Sequence, residues 1–240
     1  MIAEWMSRTN LLLGEENIQK LNRSNVLVVG LGGVGGICAE MIARAGVGRM
    51  TIVDADVVEA SNRNRQIPAL VSTEQKLKTE VLAQRLLDIN PDIDLKVLTT
   101  FVKTTETDNI LSEGRYDYVA DCIDTLSPKV HLMKTCYERK IPLVSSMGAG
   151  GRVNPQNVQV ADISKTYNCL LAYYVRKKLH QKGIYTGIET VFSNEQPDKS
   201  KIVLTPDGSV KKSVIGTISY MPAIFGCVCA SVVIRNLYSR

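Results

Sequence analysis

What the 240 residues do not contain narrows the field first. None of the six cysteines (Cys38, Cys122, Cys136, Cys169, Cys227 and Cys229) belongs to a CxxC pair, which removes the usual signal of a structural zinc site. Several lie inside apolar runs, as reduced, buried thiols do. No basic leader precedes an apolar run and a small-residue cleavage site, so no signal peptide is expected and the chain reads as cytoplasmic. No fixed period marks internal repeats. Acid is missing from Ile163 to Ile188, a stretch that carries Lys165, Arg176, Lys177, Lys178 and Lys182. Formal charge is missing from Ser213 to Ile234.

The last two absences divide the chain. Residues 1–162 hold 18 Lys and Arg against 20 Asp and Glu, whereas residues 163–240 hold 11 against 4. Such a bias suits either a polyanionic partner or a solvated basic helix face. The uncharged tail is long enough to cross a bilayer. Its Gly216, Thr217, Ser219, Pro222, Gly226 and Ser231 favour a buried core or subunit-interface helix over membrane insertion.

What is present reads as a doubly wound, mostly parallel α/β sheet of Rossmann-like type with a C-terminal extension. The apolar run Asn25–Gly30 is a strand buried on both faces, and Gly33–Gly46 a helix. Arg49–Asp54, Lys96–Val102, Tyr116–Cys122 and Pro142–Ser146 supply further strands. Helices are expected over Ser72–Asn90, opened by a Ser72/Gln75 capping box, and over about 128–139. Strands alternating with helices imply parallel pairing. After the MGAGG loop (147–151) come strand-like segments at 157–163 and 188–193, a basic helix over about 168–182, and a polar loop from Asn194 to Lys212. The expected division is an N-terminal arm (1–24), a nucleotide-binding unit (25–151) and a C-terminal region (152–240) packed onto it.

The first strand runs directly into Gly30-Leu31-Gly32-Gly33-Val34-Gly35, which opens a helix. Such glycines permit a tight turn and close backbone approach, and the helix start offers free N–H groups to phosphate. Asp54 ends the next strand, where a carboxylate can accept from both ribose hydroxyls. This pattern alone suits NAD and ATP equally. The following loop, with Asp56, Ser61, Asn62, Arg65 and Gln66, is rich in amides and arginine, which suits a triphosphate. Lys78 could reach the same phosphates. Asp121 and Asp124 bracket the end of the fourth strand. Asp124 lies past the apolar run and is the better magnesium ligand, while Asp121 could instead cap the turn.

In order and spacing, GLGGVG, DADVVEASNRNRQ, KLKTE and DCIDT resemble the superfamily of ubiquitin-activating-type enzymes, whose bacterial members activate sulfur-carrier proteins. The resemblance spans nearly the whole chain. It implies a dimeric doubly wound fold and attack of a carboxylate on ATP. Gly33, Asp54, Asn62, Arg65, Gln66 and Lys78 would hold ATP, Asp124 would bind Mg2+, and Arg8 would reach the phosphates of the neighbouring subunit. Arg65 and Lys78 would neutralise the leaving pyrophosphate. The paired zinc cysteines of the sulfur-carrier enzymes are missing, so no zinc is expected. Cys169 is the one placed candidate for a thioester.

The segment VADISKTYNCLLAYYVRKKLHQKGI (160–184) resembles the branch of tRNA threonylcarbamoyladenosine dehydratases. That branch activates the threonyl carboxylate of a modified adenosine beside the anticodon, and an internal nitrogen closes a ring. On this reading Lys165, Arg176, Lys177, Lys178 and Lys182 contact RNA. Adenylation of a Gly-Gly terminus on a ubiquitin-like sulfur carrier stands as the alternative, and an ATP-binding adaptor without activity as a third. A sulfur-relay protein is a further candidate partner.

Overall fold

Apolar runs placed where strands can be covered on both faces account for the centre of the molecule. The computed structural model describes residues 2–198, 200, 202–204 and 213–239. Two short helices, α1 (Ser7–Leu13) and α2 (Glu15–Arg23), precede the first βαβ unit: β1 (Asn25–Val29), α3 (Gly35–Arg44) and β2 (Arg49–Asp54). A long crossover leads to α4 (Lys78–Ile89), β3 (Asp94–Thr99), α5 (Thr104–Glu113) and β4 (Tyr118–Asp121). Then follow α6 (Leu126–Arg139), β5 (Leu143–Ser146), β6 (Val158–Asp162), α7 (Leu170–His180) and β7 (Glu189–Ser193). A hairpin of β8 (Ile202–Leu204) and β9 (Ser213–Ile215) precedes the closing helix α8 (Tyr220–Tyr238).

The main sheet has seven strands in the order β3-β2-β1-β4-β5-β7-β6. All its pairings are parallel except β6 against β7. The strand order therefore reverses between β1 and β4, which is where a doubly wound sheet opens a crevice beyond its strand ends. One layer, of α3, α4 and α8, covers one face; α5, α6 and α7 cover the other.

Helix α8 explains the uncharged tail. It is long and apolar enough to cross a bilayer, yet Met221, Phe225, Cys229, Val232 and Val233 are fully buried in the protein core. Its contact with α3 depends on Gly226, where an added Cβ would lie 2.5 Å from the Val34 carbonyl oxygen.

Several expected boundaries shift. The fourth helix begins at Lys78, and Ser72 instead belongs to a 3-10 turn over Val71–Thr73. No Ser72/Gln75 capping box forms, because Gln75 takes a left-handed conformation (φ 66); Thr73 Oγ1 accepts from the Leu70 N–H at 2.9 Å instead. Strand β3 ends at Thr99 rather than Val102. The polar loop from Asn194 to Lys212 includes β8, and residues 199, 201 and 205–212 lie outside the described residues.

A buried charge cluster ties α3 to α4. Glu40 accepts from Arg85 Nε at 2.6 Å and from Arg44 Nε at 2.9 Å. Burial alone pushes the Glu40 carboxyl up, but Arg85 and Arg44 outweigh it and hold it below its ordinary value of 4.5. A depressed carboxylate stabilises the fold above its unfolded-state value, and that stability is lost as pH falls through this range. Glu40→Gln should therefore lower the unfolding midpoint at neutral pH, with the difference from wild type shrinking as pH drops below 4.5. Thermal melts across pH check this, and a pH-independent difference would contradict it.

Candidate active site

The glycine turn is assembled by contacts that tolerate no side chain. Gly30 has φ +87, and a Cβ there would lie 2.9 Å from the Cys122 carbonyl oxygen, at the end of β4. At Gly35 a Cβ would lie 1.7 Å from the Gly30 oxygen. Only glycine permits this approach, so the ends of β1 and β4 close against each other at the switch point. The N-terminus of α3 faces the same crevice.

Asp54, at the end of β2, grips this turn. Its Oδ2 accepts from the Leu31 N–H at 2.6 Å and its Oδ1 from the Asp56 N–H at 2.8 Å. Each oxygen retains a second lone pair for a hydroxyl. The crossover loop then folds back on itself. Val57 bridges Leu77, and the Lys78 N–H donates to the Asp56 carbonyl at 3.0 Å. This staple places the buried Lys78 ammonium 2.8 Å from the exposed Asp56 carboxylate. Lys78 thus opens α4 beside Asp56, next to Asp54, which its sequence separation alone does not convey.

Residues 60–68 lie over the glycines. Arg65 contributes its carbonyl, which a Cβ at Gly33 would meet at 3.0 Å, and Pro222 of α8 would be met at 2.8 Å. Its guanidinium donates to the Ser61 carbonyl and Asn64 Oδ1 while remaining half-exposed. Asn62 is buried and mostly structural, accepting from the Glu59 N–H at 3.2 Å. Gln66 is buried beside Gly32, and its Oε1 has no partner among the described residues. A buried amide with spare capacity next to an open glycine is a cradle that fits a polar ligand.

At the end of β4 the two aspartates part company. Asp121 is fully buried and pairs with Lys129, also fully buried, at 2.7 Å. It also accepts from Ser145 Oγ at 2.6 Å and from the Ile123 N–H at 3.0 Å. Burial pushes its carboxyl up, against the pull of Lys129, Ser145 and Ile123. Asp121 is therefore an internal anchor that caps the turn as well. Asp124 is exposed at the mouth of the crevice.

The remaining sequence-predicted residues are spread wider. Arg8 is exposed on α1, and Met6 just before it packs on Gly46, beyond the C-terminal end of α3. Arg8 is thus remote from the glycine turn of its own chain. Lys165, Lys177, Lys178 and Lys182 are exposed. Arg176 differs: its Nη1 turns inward to the Thr166 carbonyl at 2.8 Å and to Thr166 Oγ1. Cys169 is buried against Gly148, a packed thiol rather than an open nucleophile. Cys227 is exposed and Cys229 buried, so the two point to different sides of α8.

The sequence reading missed Arg152. Only 4% exposed, it donates to the carbonyls of Gly148, Gly150 and Asn168 at 2.8–2.9 Å, bracing the MGAGG loop against the start of α7. An arginine directly after a glycine-rich loop was the available signal.

The ThiF family model matches residues 6–240. The chain belongs to the ThiF family. It is 40% identical over 238 residues to the tRNA threonylcarbamoyladenosine dehydratase of Bacillus subtilis, covering 96% of this chain and 93% of that protein. Crystal structures of the E. coli tRNA N6-threonylcarbamoyladenosine dehydratase with ATP and with AMP each superpose with a TM-score of 0.88 at 35% identity. Each match covers 100% of this chain, and 97% and 98% of those chains. The E. coli sulfur carrier protein ThiS adenylyltransferase is 37% identical, but over 56% of this chain and 54% of its own length.

Breaking one side of a buried ion pair leaves an uncompensated charge and costs about 3–5 kcal/mol. Lys129→Met should destabilise the protein by that amount in urea titration, and adding Asp121→Asn should recover most of it. Equal losses in the single and double variants would refute the anchor role.

Proposed function

We propose that the chain catalyses ATP-dependent dehydration and cyclisation of N6-threonylcarbamoyladenosine in tRNA. The observation that carries this reading is the pattern of coverage. The dehydratases match almost the full chain, C-terminal region included, while the sulfur-carrier adenylyltransferase matches little more than half. The ATP complex of the E. coli relative supports a nucleotide at the glycine turn.

The chain's own residues divide the work. Asp54 holds the ribose hydroxyls, Gly30, Gly32, Gly33 and Gly35 admit the phosphates, and the unpartnered Gln66 Oε1 accepts from a donor on the nucleoside. Lys78 and Arg65 supply positive charge where pyrophosphate departs. The threonyl carboxylate attacks the ATP α-phosphorus and pyrophosphate leaves, giving a mixed anhydride with AMP. An internal nitrogen of the threonylcarbamoyl group attacks the activated carbon and loses its proton as AMP departs. The nucleoside loses one water, and ATP becomes AMP and pyrophosphate.

Among the described residues no group of three or more His, Cys, Asp and Glu could hold a metal. A magnesium ion would thus rest on Asp124 and the nucleotide's phosphates, as that ion commonly does; when bound it offsets phosphate charge. A homodimer is part of the proposal, because Arg8 lies too far from its own glycine turn and would complete the site of a second copy. The six free cysteines suit a cytoplasmic enzyme. Kinship with the sulfur-carrier adenylyltransferase leaves a sulfur-relay protein as the partner to test.

Incubation with ATP, magnesium and tRNA carrying the threonylcarbamoyl group should lower the nucleoside mass by one water and release AMP. Folded protein that leaves the mass unchanged overturns the function, and ADP as product overturns the adenylate step. Lys78→Ala should reduce kcat about 10²–10³-fold, the usual effect of removing one preorganised donor. Loss of Lys78 leaves only an exposed Asp56 behind, so folding should survive.

A further inference from the structure

Helix α7 turns Ala172, Val175 and Leu179 into the core. Its opposite face presents Leu170, Tyr173, Tyr174, Lys177 and Lys178, recurring at the three- and four-residue spacing that keeps side chains on one side of a helix. Tyr173 and Tyr174 are 50% and 45% exposed, with ring centroids 5.2 Å apart in an edge-to-face arrangement. Neither hydroxyl makes a hydrogen bond among the described residues. These rings are half-exposed and, apart from each other, have no ring or hydroxyl partner among the described residues.

The location of this face ties it to the crevice. Asn168 and Cys169, just before α7, sit on the MGAGG loop through Arg152 and Gly148. That loop follows β5 at the carboxyl ends of the parallel strands. The tyrosines lie in the first turns of α7, nearer that end, and the lysines follow one turn later. Arg176 is committed to Thr166, so the outward charge is that of Lys177, Lys178 and the exposed Lys182.

We propose that Tyr173 and Tyr174 form a stacking platform for unpaired bases of the RNA substrate, with Lys177, Lys178 and Lys182 following its backbone. Aromatic rings beside a cationic track are how proteins hold single-stranded nucleic acid. A second copy of this chain is a poorer occupant. A two-fold contact would set lysines against lysines, and the segment 163–188 has no carboxylate to pair with them. This proposal rests on the tRNA reading above. It goes beyond it by naming which bases are recognised, those unpaired beside the modified adenosine, and by which rings.

The test uses full-length protein, ATP and a fluorescent anticodon stem-loop carrying threonylcarbamoyladenosine, with binding followed by anisotropy across salt. Y173A and Y174A should each weaken binding about tenfold and raise KM for the RNA more than they lower kcat. Their log–log salt slope should stay that of wild type. Y173F and Y174F keep the ring and should restore affinity. The pair K177A/K178A should instead shallow the salt slope by about 1.4. A fully paired duplex of the same length should bind the wild type more weakly. Folding of each variant is verified by its thermal midpoint, which exposed side chains should not shift.

Alanine variants that bind the stem-loop as tightly as wild type overturn the platform, provided wild type cyclises the nucleoside. So does equal affinity for the duplex, and so do phenylalanine variants as weak as alanine, since the hydroxyl would then be the contact. A wild-type protein that neither binds nor modifies the RNA overturns the substrate reading and this inference together.

Discussion

The close approach of two backbones at the end of β1 is the constraint on which the other features depend. Gly35 passes so near the Gly30 carbonyl that a methyl group would lie 1.7 Å away, and Gly30 in turn rests on the Cys122 peptide. Because the chain turns this sharply, α3 begins directly at the crevice, its Gly36 N–H closing the turn onto the Gly32 carbonyl at 3.0 Å. The Leu31 N–H is thereby turned toward Asp54 Oδ2. The crossover loop can then lie on Gly32 and Gly33 through Gln66 and the Arg65 carbonyl, and its far end holds Lys78 beside Asp56. A larger residue at Gly35 would displace all of these at once, since each is positioned against the turn or against another residue that is.

The opposite wall of the crevice is held by charge. Two fully buried ions, Asp121 and Lys129, are expensive to desolvate, and such a pair seldom adds net stability over an apolar substitute. Its geometry suggests what it provides. Asp121 uses its oxygens to hold α6 through Lys129, β5 through Ser145 and the turn through the Ile123 N–H. An apolar pair would pack but could not fix the direction of that turn. The exposed Asp124 stands three residues further on, so its position depends on the anchor beneath it.

The sequence disclosed those parts of the architecture whose signal is local. β1, β2 and β4 are continuous apolar runs, and the glycine turn sits between a strand and a helix, so both were legible. The edges were not. β3 alternates little and is largely exposed, and the pairing of β6 with β7 in the reverse direction depends on contacts across the chain. Helices α1, α2 and α5 are short, and none has a side-chain N-cap hydrogen bond to mark its start. At the site, residue type was readable but direction was not. Arg176 carries the same charge as Lys177, yet Thr166 draws it inward. Asp121 and Asp124 sit in one motif, yet one is sealed and the other is open to solvent.

At the glycine turn, the closing helix meets the N-terminal half through backbone and small residues. Pro222 covers Gly33 and Gly226 lies on Val34, so α8 rests on the same segment that forms the glycine turn. The linker before α8 adds two hydrogen bonds. Asn64 Nδ2 donates to the Thr217 carbonyl at 2.9 Å, and the Gly151 N–H to the Gly216 carbonyl at 2.8 Å. The crossover loop and the MGAGG loop therefore share one support. Arg152 carries that support on to Asn168 and the start of α7. A continuous set of contacts thus runs from the glycine turn to the tyrosine face without passing through a titratable switch. The outward side chains of α7 can vary without disturbing the crevice, because none of them takes part in this connection. The residues from Gly216 to Gly226 have no such freedom, since a bulkier side chain at Gly226 would be felt first at Val34, in the glycine turn itself.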